Sequence, residues 1–175
     1  MKITVKLRTI ASVMLFIGTF TTAATVAAEE NNGWYVEGQY TAFNISEDGD
    51  SVDLSGIGLV VGRDFSENFA VEIVAGVGAG DDSLYGAKIE VDRYYGLILK
   101  PNMDVSEKIS IFLDLGYVDL QLKASGPGGS LSNSSSEFLW GVGAEVDFND
   151  SIYGSIGYTD IDSSDGIQLG IGYRF

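Results

Sequence analysis

The side chains that could do chemistry in this chain are carboxylates, and they have no imidazole or thiol to work with: the sequence carries 25 Asp and Glu, 10 Lys and Arg, and neither His nor Cys. Glu37, Glu72, Asp114, Glu145 and Asp147 recur among glycines, in stretches that are otherwise apolar. Paired carboxylates can act as acid and base in a hydrolase of the glycosidase kind. Nucleophiles activated by histidine are excluded, and so are zinc sites built on His or Cys. Two other uses require no reaction. Beside Lys88, Lys100 and Arg174, the acids can form ion pairs in an enclosed space, since buried charges persist when paired and hydrogen-bonded. Alternatively they line a narrow path that favours cations. The elements that carry them decide among these.

Those elements alternate with a period of two, and no segment sustains a helical period. Eight segments are separated by Gly, Ser, Asn, Asp and Pro clusters. The first, Trp34 to Phe43, sets Trp34, Val36, Tyr40 and Ala42 against Glu37, Gln39 and Thr41. The second spans Leu54 to Phe65, and the third starts at Phe69 with Val71, Ile73, Ala75 and Val77 opposing Glu72, Gly76 and Gly78. A fourth, from about Leu84 to Lys100, is expected to end at Pro101, which cannot donate to a ladder, with Pro101-Asn-Met-Asp104 as the turn. The fifth begins at Ile109 and changes phase after Tyr117, where Val118, Leu120 and Leu122 become the apolar set. Either a bulge lies there or the strand leaves a bilayer. The tract Ala124 to Ser136, rich in Gly and Ser, reads as a mobile loop. Phe138 to Phe148, Ile152 to Ile161 and Gly166 to Phe175 complete the set, with Asn149-Asp150 as a tight hairpin. Every connection is local, as in a meander.

The first thirty residues bear on the compartment. Lys2, Lys6 and Arg8 precede an apolar core, Ile10 to Phe20, and the small-residue site Thr25-Val-Ala-Ala28, the pattern of a secretory signal peptide over residues 1–28. The expected domains are therefore a signal at 1–28 and one barrel at 29–175. Without the signal, seven basic residues face 25 acidic ones, a formal charge of −18. Such a polyanion is no phosphate-backbone binder, which excludes nucleic acid as partner. The absence of Cys leaves an exported chain without disulfides.

Alternation alone does not say which face meets lipid. Glycines fall mainly on the parity of Glu37, Glu72, Asp114, Glu145 and Arg174, and in an eight-stranded barrel they would make room for long inward side chains. Trp34, Phe65, Phe69, Phe148 and Phe175 fall at strand ends, where an interfacial girdle belongs. Both features place lipid outside. Strands of about ten residues suffice to cross, and closure satisfies every backbone group within the hydrocarbon. Arg63 and Arg93 share the lipid-facing parity and are expected near the rims, Arg63 snorkelling and Arg93 within reach of lipopolysaccharide phosphates. Acids at Glu47, Asp48, Asp50 and Asp53, at Asp81 and Asp82, and at Asp160, Asp162 and Asp165 read as solvated loop charge that matches no complete calcium-loop pattern.

With the signal peptide, the eight segments and the Gly172-Tyr-Arg-Phe175 end in view, the chain resembles the small eight-stranded outer-membrane barrels of Gram-negative bacteria, the group of the OmpA membrane domain and OmpX. The resemblance implies that Leu169, Ile171, Tyr173 and Phe175 form the signal read by the barrel-assembly machinery. It also implies a chain lacking the peptidoglycan-binding domain of longer members. Enzymes of that architecture use a histidine as base or orienter, which this chain lacks. The expectation is an all-β, eight-stranded antiparallel up-and-down transmembrane β-barrel in the cell outer membrane, monomeric, not an enzyme and without a cofactor. Its lumen network would comprise Glu37, Glu72, Lys100, Asp114, Glu145 and Arg174. Its role would be structural or surface-interacting, with outer-membrane lipid and lipopolysaccharide as partners. The alternatives are a narrow cation-leaning channel, or a loop-mediated adhesin or receptor using Asn44 to Asp53 and Ala124 to Ser136.

Overall fold

The computed structural model describes residues 33–175 apart from 48–49, 85–86, 127–128 and 163. The expected signal peptide lies outside the described residues, as do the side chains of Glu47, Asp48 and Asp50. Eight strands follow one another: β1 (Trp34–Glu47), β2 (Asp50–Ser66), β3 (Phe69–Leu84), β4 (Ala87–Ser106), β5 (Ile109–Gly126), β6 (Gly129–Asp147), β7 (Ile152–Ile161) and β8 (Ser164–Arg174). Each pairs antiparallel with its neighbours, and β1 pairs with β8 from Tyr35↔Arg174 to Ile45↔Ser164, so the sheet closes. The chain is an eight-stranded antiparallel up-and-down barrel.

Closure sorts the side chains by parity. Ile57, Leu59 and Val61 of β2, Ile73 and Val77 of β3, and Leu97 and Leu99 of β4 are exposed on the outer wall, with Ile167, Leu169, Ile171 and Tyr173 of β8. Their neighbours Val60, Glu72, Lys100 and Gln168 are buried inside. In water so large an exposed apolar band would be a liability; in a bilayer it is the solvated surface.

The two ends differ. Short turns at Glu67-Asn68, Glu107-Lys108 and Phe148 to Ser151 lie at one end with Trp34 and Phe175, the periplasmic arrangement of such barrels. At the Phe148 turn, the Asn149 side chain accepts bonds from the amides of Ser151 and Ile152. The opposite end carries long hairpins, where two expectations are corrected, and a third is corrected near the short turns. The Gly/Ser tract Ala124 to Ser136 is not a free loop: β5 and β6 stay in unbroken register from Ile109↔Val146 to Gly126↔Gly129. Asn44 to Asp53 likewise pairs, from Asn44↔Asp53 to Glu47↔Asp50, and Asp81 and Asp82 lie in β3. Pro101 does not end β4, which continues to Ser106. The Asn102 amide bonds the Asn68 carbonyl on the β3 side, so the Pro101 nitrogen faces β5, and the β4–β5 ladder skips Lys100 and Pro101 between Leu99↔Leu115 and Asn102↔Phe112, a local gap where proline has no N–H to donate.

The phase change after Tyr117 is resolved by the same register. No bulge interrupts β5 against β6, so the strand passes out of the lipid band, and its outer face becomes Asp119, Gln121 and Lys123 while Val118 and Leu120 turn inward. The irregularity sits on β4, between Val91 and Arg93. From Gly129 to Phe138, about ten residues, β6 has no β7 partner, because that ladder stops at Leu139↔Ile161. The β3–β4–β5–β6 sheet therefore stands beyond β7 and β8 as a flap.

Candidate functional site

The lumen divides into a polar lower half and an apolar upper half. In the lower half Lys100, 5% exposed, projects inward from β4. Its Nζ lies 2.8 Å from Glu72 Oε1 and 2.9 Å from Glu145 Oε1. Tyr35 donates a second bond to Glu72 Oε1 at 2.7 Å. Arg174 reaches the other Glu145 oxygen at 2.6 Å and also bonds Asp147. The rings of Phe112 and Tyr153 cover the two cations, at 4.2 Å from Lys100 Nζ and 4.1 Å from Arg174 Cζ. A continuous chain Glu72, Lys100, Glu145, Arg174, Asp147 thus spans the bore from β3 to β8.

Glu37 and Asp114 are buried in the same lumen but outside that chain of ion pairs. Glu37 accepts a bond from Ser155 at 3.0 Å, and Asp114 accepts one from Gln168 at 3.1 Å. Neither has a cation within ion-pair distance among the described residues, and Glu37 Oε2 and Asp114 Oδ1 meet no donor. Lys88 is not a lumen residue: it is exposed on the flap, 2.8 Å from Glu90 and 3.4 Å from Asp81, and Lys123 lies 3.6 Å from Glu90. Sequence reasoning missed Tyr35, Ser155 and Gln168 as partners, although each shares the inward parity.

Above this layer the expectation of a charged, glycine-lined bore is corrected. Val52, Leu54, Val60, Val74, Val91, Tyr94, Ile98, Val118, Leu139 and Ile161 form one buried cluster inside the barrel. The glycines beside it make room for rings more than for charges. A Cβ at Gly58 would fall 2.5 Å from the Tyr94 hydroxyl, and one at Gly56 would fall 3.0 Å from the same ring. Below the polar layer a vestibule of about 640 Å³ opens at the short-turn end, lined by Tyr35, Asp64, Lys100, Glu145, Asp147 and Arg174 among others. The bore is thus open below, bridged by ions in the middle and filled by apolar side chains above.

The arrangement favours cohesion over reaction. Glu72 and Glu145 are held by cations, which removes them as proton acceptors for a substrate, and Asp114 and Glu37 are walled in. Among the described residues, no group of three or more acidic side chains is placed to hold a metal ion.

At the upper rim Tyr95 and Phe138 are exposed on the outer wall, and the Tyr117 and Phe138 rings pack edge to face at 5.6 Å. Arg93 is exposed one outward position beyond Tyr95, next to the β4 irregularity. On the flap the bond from Lys88 holds the Glu90 carboxyl below its ordinary pKa, and Asp82 is lowered by amide bonds from Asp53 and Ser83. At the lower rim Arg63 lies between Trp34 and Phe65, its Cζ 5.4 Å from each ring centroid. The Phe175 amide bonds the Trp34 carbonyl at 3.0 Å, and the Tyr173 and Phe175 rings are 5.2 Å apart.

Comparison with known proteins agrees with this geometry. A family model for the outer membrane protein beta-barrel domain matches residues 12–175. No curated protein matches the chain. Among solved structures, Ail of Yersinia pestis is 22% identical with a TM-score of 0.62, over 82% of this chain and 99% of that one. Neisserial surface protein A is 14% identical with a TM-score of 0.66, over 84% and 100%. The N-terminal barrel of Pseudomonas aeruginosa OprF is 11% identical with a TM-score of 0.60, over 84% and 100%. At these identities the likeness is one of fold.

Proposed function

Because this chain belongs to the outer membrane protein beta-barrel domain family, and so resides in the cell outer membrane, we propose that it is a non-enzymatic, monomeric barrel whose flap interacts with partners at the cell surface. The flap is the observation that carries this reading. Its outer face is polar, and along Gly129 to Phe138 β6 has no β7 partner, which leaves Leu131 80% exposed while Ile89, Leu120 and Leu122 pack part-buried against the apolar core cluster. A projecting strand edge without a ladder partner is a surface to which another chain can pair. Residues 1–28 would direct export, and Leu169, Ile171, Tyr173 and Phe175 would engage the assembly machinery.

Ail has been seen with the heparin analogue sucrose octasulfate. A sulfated sugar asks for clustered free cations, whereas Lys88 and Lys123 are committed to Glu90 and Asp81. Arg93, beside the outer aromatic rim, fits a lipopolysaccharide phosphate instead, where a planar fork can bind two oxygens. A narrow cation path is the second reading, favoured by the uncompensated Glu37 and Asp114 and opposed by the apolar filling above them.

Excision of residues 121–134, with a two-residue turn in their place, tests the principal reading. Heat-modifiable gel mobility should survive, while binding of cells or purified protein to host surfaces is lost. Unchanged binding would remove the flap from the function. Steady conductance of the native barrel in planar bilayers would favour the channel.

A further inference from the structure

We propose that Arg63, clasped by Trp34 and Phe65, is a binding site for the phosphate of an anionic glycerophospholipid in the periplasmic leaflet. Three residues at the short-turn rim build it. Trp34 begins β1 and lies directly across the sheet from Arg63, and Phe65 follows two positions later at a β2 irregularity by the vestibule mouth, its ring beside the guanidinium. The guanidinium carbon is 5.4 Å from both ring centroids, within the range in which a delocalised cation is held by aromatic faces. This restrains a side chain that otherwise has many rotamers, and a planar fork held in place is suited to two phosphate oxygens.

Arg63 has no carboxylate within ion-pair distance among the described residues, in contrast to Lys88, Lys100, Lys123 and Arg174. The adjacent acid Asp64 lines the vestibule on the other side of the wall. Around Arg63 on the outer wall stand Val61 and, across the β3 ladder, Val71 and Ile73. A free phosphate has nothing to place against these side chains, whereas a phospholipid lays its acyl chains along them while its headgroup meets the guanidinium. The depth agrees: Phe175, bonded to the Trp34 carbonyl, and the exposed Phe148 mark the interfacial girdle at this end. An anionic headgroup is favoured over a zwitterionic one, whose own ammonium competes for the phosphate.

Binding there requires Trp34 to face lipid, as the outer-membrane reading has it, and one measurement separates the two ideas. The chain has two tryptophans, so Trp140→Phe leaves Trp34 as the sole indole reporter. The protein is reconstituted with phosphatidylcholine containing a minor fraction of either brominated phosphatidylglycerol or brominated phosphatidylcholine. Quenching by both lipids, several-fold stronger per mole for the anionic one and reduced in high salt, is expected. In Arg63→Gln the preference should vanish while general quenching remains, and in Arg63→Lys it should be partly kept. Arg93→Gln, at the opposite rim, should leave it unchanged. Equal quenching by the two lipids in the Arg63 protein, or a preference that persists in Arg63→Gln, would overturn the site. Absence of quenching by either lipid would overturn the lipid-facing reading itself.

Discussion

Lys100 and Glu72 meet diagonally rather than face to face: in the β3–β4 register Lys100 is opposite Ala70 and Glu72 opposite Ile98, yet Nζ and Oε1 are 2.8 Å apart. A diagonal contact lets one ammonium serve β3 and, through Glu145, also β6. The lysine therefore ties together strands that share no ladder. Removing it leaves the buried Glu72 without a cation and the half-buried Glu145 with Arg174 alone. Lys100→Met should cost about 3–5 kcal/mol in equilibrium unfolding from detergent, the range for breaking a buried pair from one side. Lys100→Met combined with Glu72→Met should recover most of that loss, because an apolar pair of similar volume replaces the charges. A double variant no more stable than the single one would contradict this account.

Glu37 and Asp114 should respond in the opposite sense. Each is buried, each accepts one side-chain bond, and each leaves one oxygen without a donor. Neutralising an uncompensated buried charge relieves desolvation, so Glu37→Gln and Asp114→Asn should each stabilise the barrel by about 1–3 kcal/mol. Denaturant titration of the two variants beside Lys100→Met is a direct comparison. Destabilisation by either would mean that its negative charge is needed where it stands.

The lipid band was legible because a period of two is all that a membrane wall demands. Ile167, Leu169, Ile171 and Tyr173 point outward in the structure as their spacing required. Legibility failed where lipid no longer selects the outer face. Above Tyr117 the outer residues turn polar and the inner ones apolar, so Val118 and Leu120 look like a slipped register although the ladder is continuous. The Ser-rich upper part of β6, Gly129 to Ser136, offers no hydrophobic alternation, and its pairing is imposed by β5 across a long hairpin. Lumen partners were hidden for another reason. Ser155 and Glu37 are 118 residues apart and meet because β8 joins β1, a consequence of barrel closure that local spacing does not encode.

On the flap, Asp82 closes a gap between strands. The β2–β3 ladder stops at Ser55↔Gly80, and beyond it the Asp53 amide bonds the Asp82 carboxylate at 3.1 Å while Ser83 N–H bonds its other oxygen. These amide bonds favour the charged form and lower the Asp82 pKa in the folded protein. Their contribution is therefore complete above the unfolded carboxyl pKa and disappears as pH falls through the lower folded value. NMR of the Asp53 amide should show an acid titration below the usual carboxylate range, absent in Asp82→Asn. A midpoint at or above the usual range would mean that the bridge is not formed.

Phe175 joins two roles that deletion can separate. Its amide closes the last bond of the β8–β1 seam on the Trp34 carbonyl, and its ring packs against Tyr173 at the girdle. One backbone bond and one exposed ring contact are worth about 1–2 kcal/mol together, a small part of a closed eight-strand ladder. Refolding of the Phe175-deleted chain from urea into detergent should therefore reach the heat-modifiable form at near-normal yield. If Leu169, Ile171, Tyr173 and Phe175 also act as the assembly signal, the same deletion in cells should lower outer-membrane levels several-fold. A parallel loss in both settings would assign Phe175 to stability alone, and normal levels in cells would remove it from assembly.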